Sequence, residues 1–325
     1  MLTFVLRRLL YSIPVLFAAT ALIFFAVSAA GDPVAQLRVN PLLPRETVQQ
    51  IEKRKHLHDP IAVQYGYWLR DAVLHKFGTP LLQPGNRIWN DLKRVLPHTV
   101  QLVLLSEIFA LLFGIGIGVV TALRQYSALD YSVTTFSFLA FAMPAFWLAL
   151  MLQVLFTNIF LHWHVRIFYT SGLSSPDPGS GIHFWVDRLQ HLALPAMTLT
   201  FLQIALYSRF MRASMLEVIN SDFIRTARAK GLLERRVVLK HGLRNALLPV
   251  VTVSALNLGG LIGGAVVTET IFQLDGMGPY FISNLFNQDA YAVMAWLMVT
   301  ATAIIIFNLI ADVAYAYIDP RIRYD

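Results

Sequence analysis

The sequence contains no cysteine and few charged side chains. None of its 325 residues is Cys, and only 14% are Asp, Glu, Lys or Arg, against about 25% in an average soluble domain. The lack of Cys excludes disulfides and cysteine-ligated metal sites, and it leaves the redox compartment unreadable. Because 56% of the residues are hydrophobic and the mean hydropathy is +0.57, the composition indicates an integral membrane protein.

Motifs of nucleotide and hydrolytic chemistry are also missing. No Gly-Lys dipeptide occurs, so the chain cannot build a P-loop for ATP. Neither H-E-x-x-H nor G-x-S-x-G is present, which leaves zinc hydrolysis and a nucleophile elbow without support. His162 and His164 flank Trp163 with no carboxylate or thiol nearby, which favours an interfacial belt over a metal site. We therefore expect a chain that is not an enzyme and holds no cofactor.

Long apolar segments predict an all-α integral membrane protein, because about 20 apolar residues cross a bilayer core. The six predicted spans are Leu9–Ala30, Thr99–Leu123, Ser132–Leu161, Leu192–Met211, Ala246–Phe272 and Tyr291–Tyr317. The first also resembles a signal peptide, but its apolar run exceeds the roughly 7–15 residues of a signal core. Residues 1–30 are therefore predicted to form a retained first transmembrane helix.

The distribution of Lys and Arg predicts the orientation in the membrane, because cations in short loops mark the cytoplasmic side. They accompany alternate loops, at Arg7, Arg8, Arg124, a patch between spans four and five, and Arg321 and Arg323. Both termini are thus predicted to be cytoplasmic. Residues 31–98 form an extracytoplasmic insertion between helices 1 and 2, and residues 99–325 a five-helix core. The net charge of +7 is explained by these cations beside the spans, so we expect no nucleic-acid partner.

Glycines and polar residues inside the spans leave two questions open. Gly114 and Gly118, like Gly259 and Gly263, are four apart and form strips that let another helix approach closely. That helix could belong to this chain or to a partner. The polar side chains considered most closely are Glu107 and Asn257. A buried carboxylate should face protein or water, so these two side chains either line a transport route or make interhelical hydrogen bonds.

The loop 214–245 holds a dense cationic patch. Between Ser221 and Pro249 lie seven cations and two acids, which are Arg225, Arg228, Lys230, Arg235, Arg236, Lys240, Arg244, Asp222 and Glu234. The pattern predicts a short surface helix over residues 222–230, capped by Ser221 or Asp222 and ended by a Gly231 with positive φ. Phe223 and Ala227 are expected on one face, Arg225 and Arg228 on another. A second helix is expected over Leu232–Leu248.

Two functions suit this patch on physical grounds. Its cations could satisfy the topology rule and bind anionic lipid. Alternatively, the short helix could be held on the membrane face and gripped by a soluble partner.

The segment DFIRTARAKGLLERRVVLKHGLRNALLP resembles the cytoplasmic coupling loop of ABC importer permeases, specifically their dipeptide/oligopeptide branch. The general pattern of Glu-Ala-Ala, three residues and Gly is matched by Arg225-Thr226-Ala227, Arg228-Ala229-Lys230 and Gly231. Arg225 replaces the first glutamate, and Leu248-Pro249 lies further from Gly231 than usual, and both departures are typical of the peptide branch. LRRLLYSIPVLF, TETIFQLDGMG and AYAYIDPRIR extend the resemblance along the chain.

The resemblance implies a type I ABC importer permease fold in a bacterial cytoplasmic membrane. A second, similar permease would complete the pore as a heterodimer, an extracytoplasmic binding protein would deliver a peptide, and two cytoplasmic ATPase subunits would hold ATP and Mg. In the coupling helix Phe223 would be an apolar anchor, Arg225, Arg228 and Lys230 polar contacts, and Gly231 the residue that sets the shape. The alternatives are nickel or glutathione uptake within the same branch, a secondary transporter, or a membrane anchor without transport.

Overall fold

The computed structural model describes residues 2–39, 43–74, 77–81 and 87–318. Within these ranges the chain forms fourteen α-helices and one π-helical segment. The helices are α1 Leu2–Ala30, α2 Ala35–Val39, α3 Arg45–Arg54, α4 Ile61–Leu74, α5 Ile88–Leu123, α6 Ala128–Ala142, α7 Ala145–Trp163, α8 Ile182–Ile219, α9 Asp222–Ala229, α10 Glu234–Arg236, α11 Leu243–Ile262, α12 Val266–Ile271, α13 Met277–Phe286 and α14 Ala290–Ile318. The π segment, Val237–Gly242, joins α10 to α11.

Six of the helical stretches are long and apolar enough to cross a membrane, as the sequence predicted. They are Leu6–Ala29, Ile88–Leu123, Ala145–Trp163, Ile182–Ile219, Glu234–Ile262 and Ala290–Ala314. Helices suit this setting because they satisfy every backbone hydrogen bond internally where no water is present. The chain is thus a multi-pass membrane protein. We call the end of the bundle that carries α9 the α9 end, and the end that carries α2, α3 and α4 the α2–α4 end. Arg321 and Arg323, used above for orientation, lie outside the described residues.

Two predicted spans are broken into separate helices. The third ends at Ala142 and restarts at Ala145, because Pro144 cannot donate a backbone hydrogen bond and forces Met143 into an extended conformation, with ψ of 126°. The fifth stops at Ile262, where Gly264 takes a φ of +116°, and the chain resumes as α12. The predicted spans Ser132–Leu161 and Ala246–Phe272 are therefore each divided between two helices.

Helices α5 and α8 form the central pair and are longer than predicted. They begin at Ile88 and Ile182 and contain 36 and 38 residues, which corresponds to about 54 and 57 Å at 1.5 Å per residue. A bilayer core is about 30 Å thick, so both helices extend well beyond it.

The glycine strips pack inside this chain. A Cβ on Gly114 would lie 2.8 Å from the Cβ of Tyr207, and one on Gly118 would lie 2.5 Å from the Cβ of Met211, so α5 and α8 approach closely at both glycines. Gly259 and Gly263 lie in the same way against Ile304 and Thr300 of α14. Internal packing therefore accounts for these four glycines.

The segment between the first two spans is helical and packs on their ends. In this segment Val48 and Ile51 lie one turn apart among polar residues, which predicts a short amphipathic helix. That helix is confirmed as α3, in which Val48 is buried. Val48 and Trp68 join Phe24 of α1 and Met294 of α14 in one apolar cluster. A region of this size is marginal as an independent fold, and this cluster explains how it is stabilised. The Pro and Gly content of FGTPLLQPGN, residues 77–86, predicts a loop, and part of it lies outside the described residues. The placement of 31–98 on the extracytoplasmic side stays a prediction.

Candidate functional site at helix α9 and the helices that hold it

The short helix predicted in the cationic patch is present as α9, Asp222–Ala229. Ser221 occupies the N-cap position, but its hydroxyl donates to the Val218 carbonyl and does not cap the helix. Asp222 lies in the first turn, where a negative charge suits the helix dipole. The helix ends as expected, because Gly231 adopts a φ of +71°, a conformation that favours glycine.

The buried face of α9 differs from the prediction. Ile224 and Ala227 point into the protein, with 0% and 8% of their surfaces exposed, whereas Phe223 is 46% exposed. Ile224 is therefore the inward-facing neighbour of Ala227, and Phe223, one turn before Ala227, stays exposed. A large aromatic side chain is left facing outward on a charged surface.

The exposed side of α9 is cationic, and two of its arginines form ion pairs that are open to solvent. Arg225 lies 3.3 Å from the Asp222 carboxylate, and Arg228 contacts both carboxylate oxygens of Glu234 at 2.7 and 3.1 Å. Such exposed pairs contribute about 0–1 kcal/mol, so a partner can replace them at little cost. The other predicted site residues on this side, Thr226, Ala229 and Lys230, are exposed as well.

Helix α9 is seated on the segments that precede and follow it. Ile224, Ala227 and Val237 form a small apolar cluster against Val218 at the end of α8. The predicted helix Leu232–Leu248 is only partly correct. It begins at Glu234, passes through the π segment and continues as α11 beyond Pro249 to Ile262. A displacement of α9 would therefore reach α8 directly and α11 through the π segment.

Glu107 lies in a buried network that joins three helices. The Tyr207 hydroxyl of α8 donates to its two carboxylate oxygens at 2.9 and 3.0 Å, and the Ser254 hydroxyl of α11 donates at 2.5 Å. Asn257, one turn after Ser254, donates to the Tyr207 oxygen at 3.2 Å. We call these four residues the polar node. The structure thus joins the two polar residues selected from the sequence, through Tyr207.

The burial of the polar node bears on its role. Glu107 is 3% exposed and Tyr207 is 0% exposed in this single chain, which favours interhelical contacts over lining a route between two chains. Sequence reasoning missed Tyr207 and Ser254. The i, i+3 spacing of Ser254 and Asn257 on an apolar helix was the available signal, because such residues share a face.

A second buried carboxylate, that of Glu269, lies toward the α2–α4 end. Glu269 of α12 accepts hydrogen bonds from the Thr99 hydroxyl at 2.7 Å and the Gly278 backbone amide at 2.8 Å. A Cβ on Gly276 would lie 2.5 Å from this carboxylate. Arg94 of α5 forms an ion pair with Asp275 in the same turn. These contacts give a physical reason for the TETIFQLDGMG motif, whose glycines let the backbone fold around Glu269.

Comparison with known proteins agrees with these observations. The family described as "Binding-protein-dependent transport system inner membrane component" matches residues 114–324. A second family, described as the N-terminal part of binding-protein-dependent transport system membrane components, matches residues 1–81.

Curated relatives match over the full length. The chain is 41% identical to the oligopeptide transport system permease protein AppB of Bacillus subtilis, with 100% of both chains covered. It is 36% identical to the dipeptide transport system permease protein DppB of Alkalihalophilus pseudofirmus, again with 100% of both covered. It is 35% identical to the di/tripeptide transport system permease protein DppB of Pseudomonas aeruginosa, over 100% of this chain and 99% of that one. The chain therefore belongs to the family of binding-protein-dependent transport system inner membrane components.

Proposed function

We infer that this chain is a permease subunit of an ATP-driven peptide importer. The observation that carries this function is the geometry of α9, a short helix that packs on the end of α8 and on the π segment leading into α11. It exposes Phe223 beside Arg225, Arg228 and Lys230. Membership in the binding-protein-dependent transport family and full-length similarity to permeases named for oligopeptides and dipeptides support it.

The ATPase is supplied by other chains, because this sequence contains no P-loop. Two cytoplasmic ATPase subunits hold ATP and Mg, and one of them receives α9 in a surface groove. Phe223 enters that groove as the apolar anchor, and Arg225, Arg228 and Lys230 contact its rim. Closure of the ATPase pair displaces α9 as a rigid body, and this displacement moves α8 and α11.

The rest of the importer surrounds this subunit. A second, similar permease completes the pore as a heterodimer, and an extracytoplasmic binding protein delivers the peptide. The subunit lies in a bacterial cytoplasmic membrane with both termini in the cytoplasm and residues 31–98 outside. Nickel and glutathione, the other substrates considered from the sequence, are not favoured, because the relatives compared above carry peptide names.

Copurification of the assembled complex tests the docking role of α9. The double variant Arg225→Glu, Arg228→Glu reverses two exposed charges of the helix, so we expect it to insert in the membrane and lose the ATPase. Arg235→Glu is the matched control, because Arg235 is also exposed but lies beyond Gly231. Full retention of the ATPase by the double variant would show that these cations serve topology alone. Retention by the control together with loss in the double variant supports docking through α9.

A further inference from the structure

The polar node occupies a particular place in the bundle. It joins α8, which leads into α9, to α11, which follows it, and it links both to α5 through Glu107. We propose that Tyr207 and Glu107 are positioning residues that make these three helices move together, so that ATPase motion arriving at α9 is converted into movement of peptide. The inference rests on the function proposed above.

Continuous packing connects α9 to the polar node. Ile224 contacts the apolar cluster that includes Val218 and Val237. The next cluster contains Met211, Met215, Val238, Ala246, Val250 and Tyr207 itself. Because buried side chains in such clusters are close-packed, a displacement at one end is transmitted with little loss. Val237 and Val238 are neighbours in the chain and belong to the two successive clusters, so no gap separates α9 from Tyr207.

Helices α5 and α8 are in close contact beside the polar node. Gly114 lies against Tyr207, and Gly118 lies against Met211 and the Ser208 carbonyl. The Tyr207 side chain extends from this close approach to Glu107, about two turns before Gly114 on α5. Helix α11 lacks an equivalent glycine contact with α5 or α8 among the described residues. Ala246 and Val250 pack α11 against the pair, and the hydrogen bonds of Ser254 and Asn257 add directional contacts that an apolar surface lacks.

The hydrogen bonds of the polar node form one consistent sequence of donors and acceptors. Asn257 donates to Tyr207, Tyr207 donates to Glu107, and Ser254 donates to Glu107. A fully satisfied buried network specifies one arrangement of its helices, and sliding α11 past α8 would leave buried polar groups without partners, which is costly. An apolar contact in the same place would allow the helices to shift with a smaller penalty. The geometry thus assigns to the polar node the role of fixing the register of the three helices, rather than a role in contacting substrate.

The number of peptides transported per ATP hydrolysed tests this assignment in the purified complex, reconstituted in liposomes. Tyr207→Phe removes the shared hydroxyl and keeps the ring, so we expect the ratio to fall roughly 2- to 10-fold, the range that corresponds to one buried hydrogen bond. ATP hydrolysis itself should continue, because α9 is unchanged. Glu107→Gln should keep a ratio close to that of the unmodified complex, since it retains an oxygen in the position of Oε1, which accepts from both Tyr207 and Ser254.

Thr198→Val is the matched control. The Thr198 hydroxyl is buried on α8, but it donates within its own helix, to the Leu194 carbonyl. Removal of this hydroxyl should therefore leave the ratio unchanged. If Tyr207→Phe does not assemble, Ser254→Ala removes the α11 hydrogen bond alone and should lower the ratio in the same direction.

Three outcomes distinguish the alternatives. An unchanged ratio in Tyr207→Phe, or in Ser254→Ala where that variant is used, would overturn the positioning role. An equal fall in Thr198→Val would also overturn it, because the effect would then be general to buried hydroxyls. If the unmodified complex transports no peptide, the proposed function fails, and that result is separate from any change in the ratio.

Discussion

The Tyr207 hydroxyl on α8 lies 2.9 and 3.0 Å from the two carboxylate oxygens of Glu107 on α5. The two residues are 100 positions apart in the sequence and meet because Gly114 lets the helices approach where Tyr207 begins its side chain. This contact lies inside the central helix pair, between the α9 end and the α2–α4 end. Together with the hydrogen bonds from Ser254 and Asn257, it connects α5, α8 and α11 to one another.

Gly118→Ala should destabilise the α5–α8 pair. The added Cβ would lie 2.5 Å from the Met211 Cβ and 2.7 Å from the Ser208 carbonyl oxygen, so the helices must separate. We expect a loss of about 1–3 kcal/mol, measured as a lower midpoint of thermal unfolding in detergent. Gly116→Ala is the control, because a Cβ there meets nothing within 4 Å. Equal midpoints for both variants would contradict the close approach.

Gly276→Ala should disturb the turn that holds Glu269. The new Cβ would lie 2.5 Å from the Glu269 carboxylate, which is 0% exposed and cannot move aside. Displacement of this carboxylate breaks its hydrogen bond from Thr99, so we expect a loss of about 1–3 kcal/mol in the same unfolding measurement. Gly260→Ala, which adds a Cβ in open space, should have a far smaller effect. A stable Gly276→Ala protein would show that the turn accommodates a side chain.

Gly231→Val should impair coupling without disturbing packing. Nothing lies within 4 Å of a Cβ at this position, but its φ of +71° costs a residue with a side chain about 1–2 kcal/mol, and more when it is β-branched. The turn after α9 should therefore shift, and peptide uptake should fall. Gly231→Asn is the control, since Asn tolerates this conformation. Full uptake by the Val variant would count against a fixed coupling helix.

Lys55 should make the stability depend on pH. Its ammonium group donates to the Thr79 carbonyl at 2.8 Å and lies 4.1 Å from the centre of the Tyr291 ring. Burial lowers the pKa of Lys55 to about 8 from 10.5, against the opposing charges of Asp289 and Asp71. Between these two pKa values the unfolded chain binds more protons than the folded one, so this group's contribution to stability rises with pH across that window.

Unfolding midpoints of the unmodified protein and Lys55→Met, measured from pH 7 to 10, check this expectation. The unmodified protein should gain stability relative to the variant as the pH rises above about 8. A constant difference between the two proteins across the range would show that Lys55 keeps an ordinary pKa.

Local signals in the sequence predicted the spans and helix α9 well. Six apolar runs correspond to six spanning helices. The charge and glycine pattern placed α9 and the positive φ of Gly231 correctly, although the Ser221 side chain does not cap the helix. The full breaks at Pro144 and Gly264 do not appear in the hydropathy, because apolar composition continues through both. Hydropathy indicates whether a segment partitions into the membrane, and it does not indicate where the backbone departs from helical geometry.

Contacts between distant segments could not be read from the sequence. Glu107 and Asn257 stood out because polar groups in an apolar span need partners, but nothing local identified Tyr207 as the residue between them. The inward placement of Ile224 was also missed, since helical spacing alone does not say which of two apolar neighbours, Phe223 or Ile224, faces the protein. Tertiary packing decides both.

Transport by reconstituted liposomes tests the central claim most directly. Liposomes that hold the complete complex, supplied with its binding protein, should accumulate peptide when ATP is present on the side that α9 faces. Liposomes that hold this chain alone, with an ion gradient and no ATPase, should accumulate none. Uphill peptide uptake by the isolated chain would contradict the account, because motion would then not have to enter through α9.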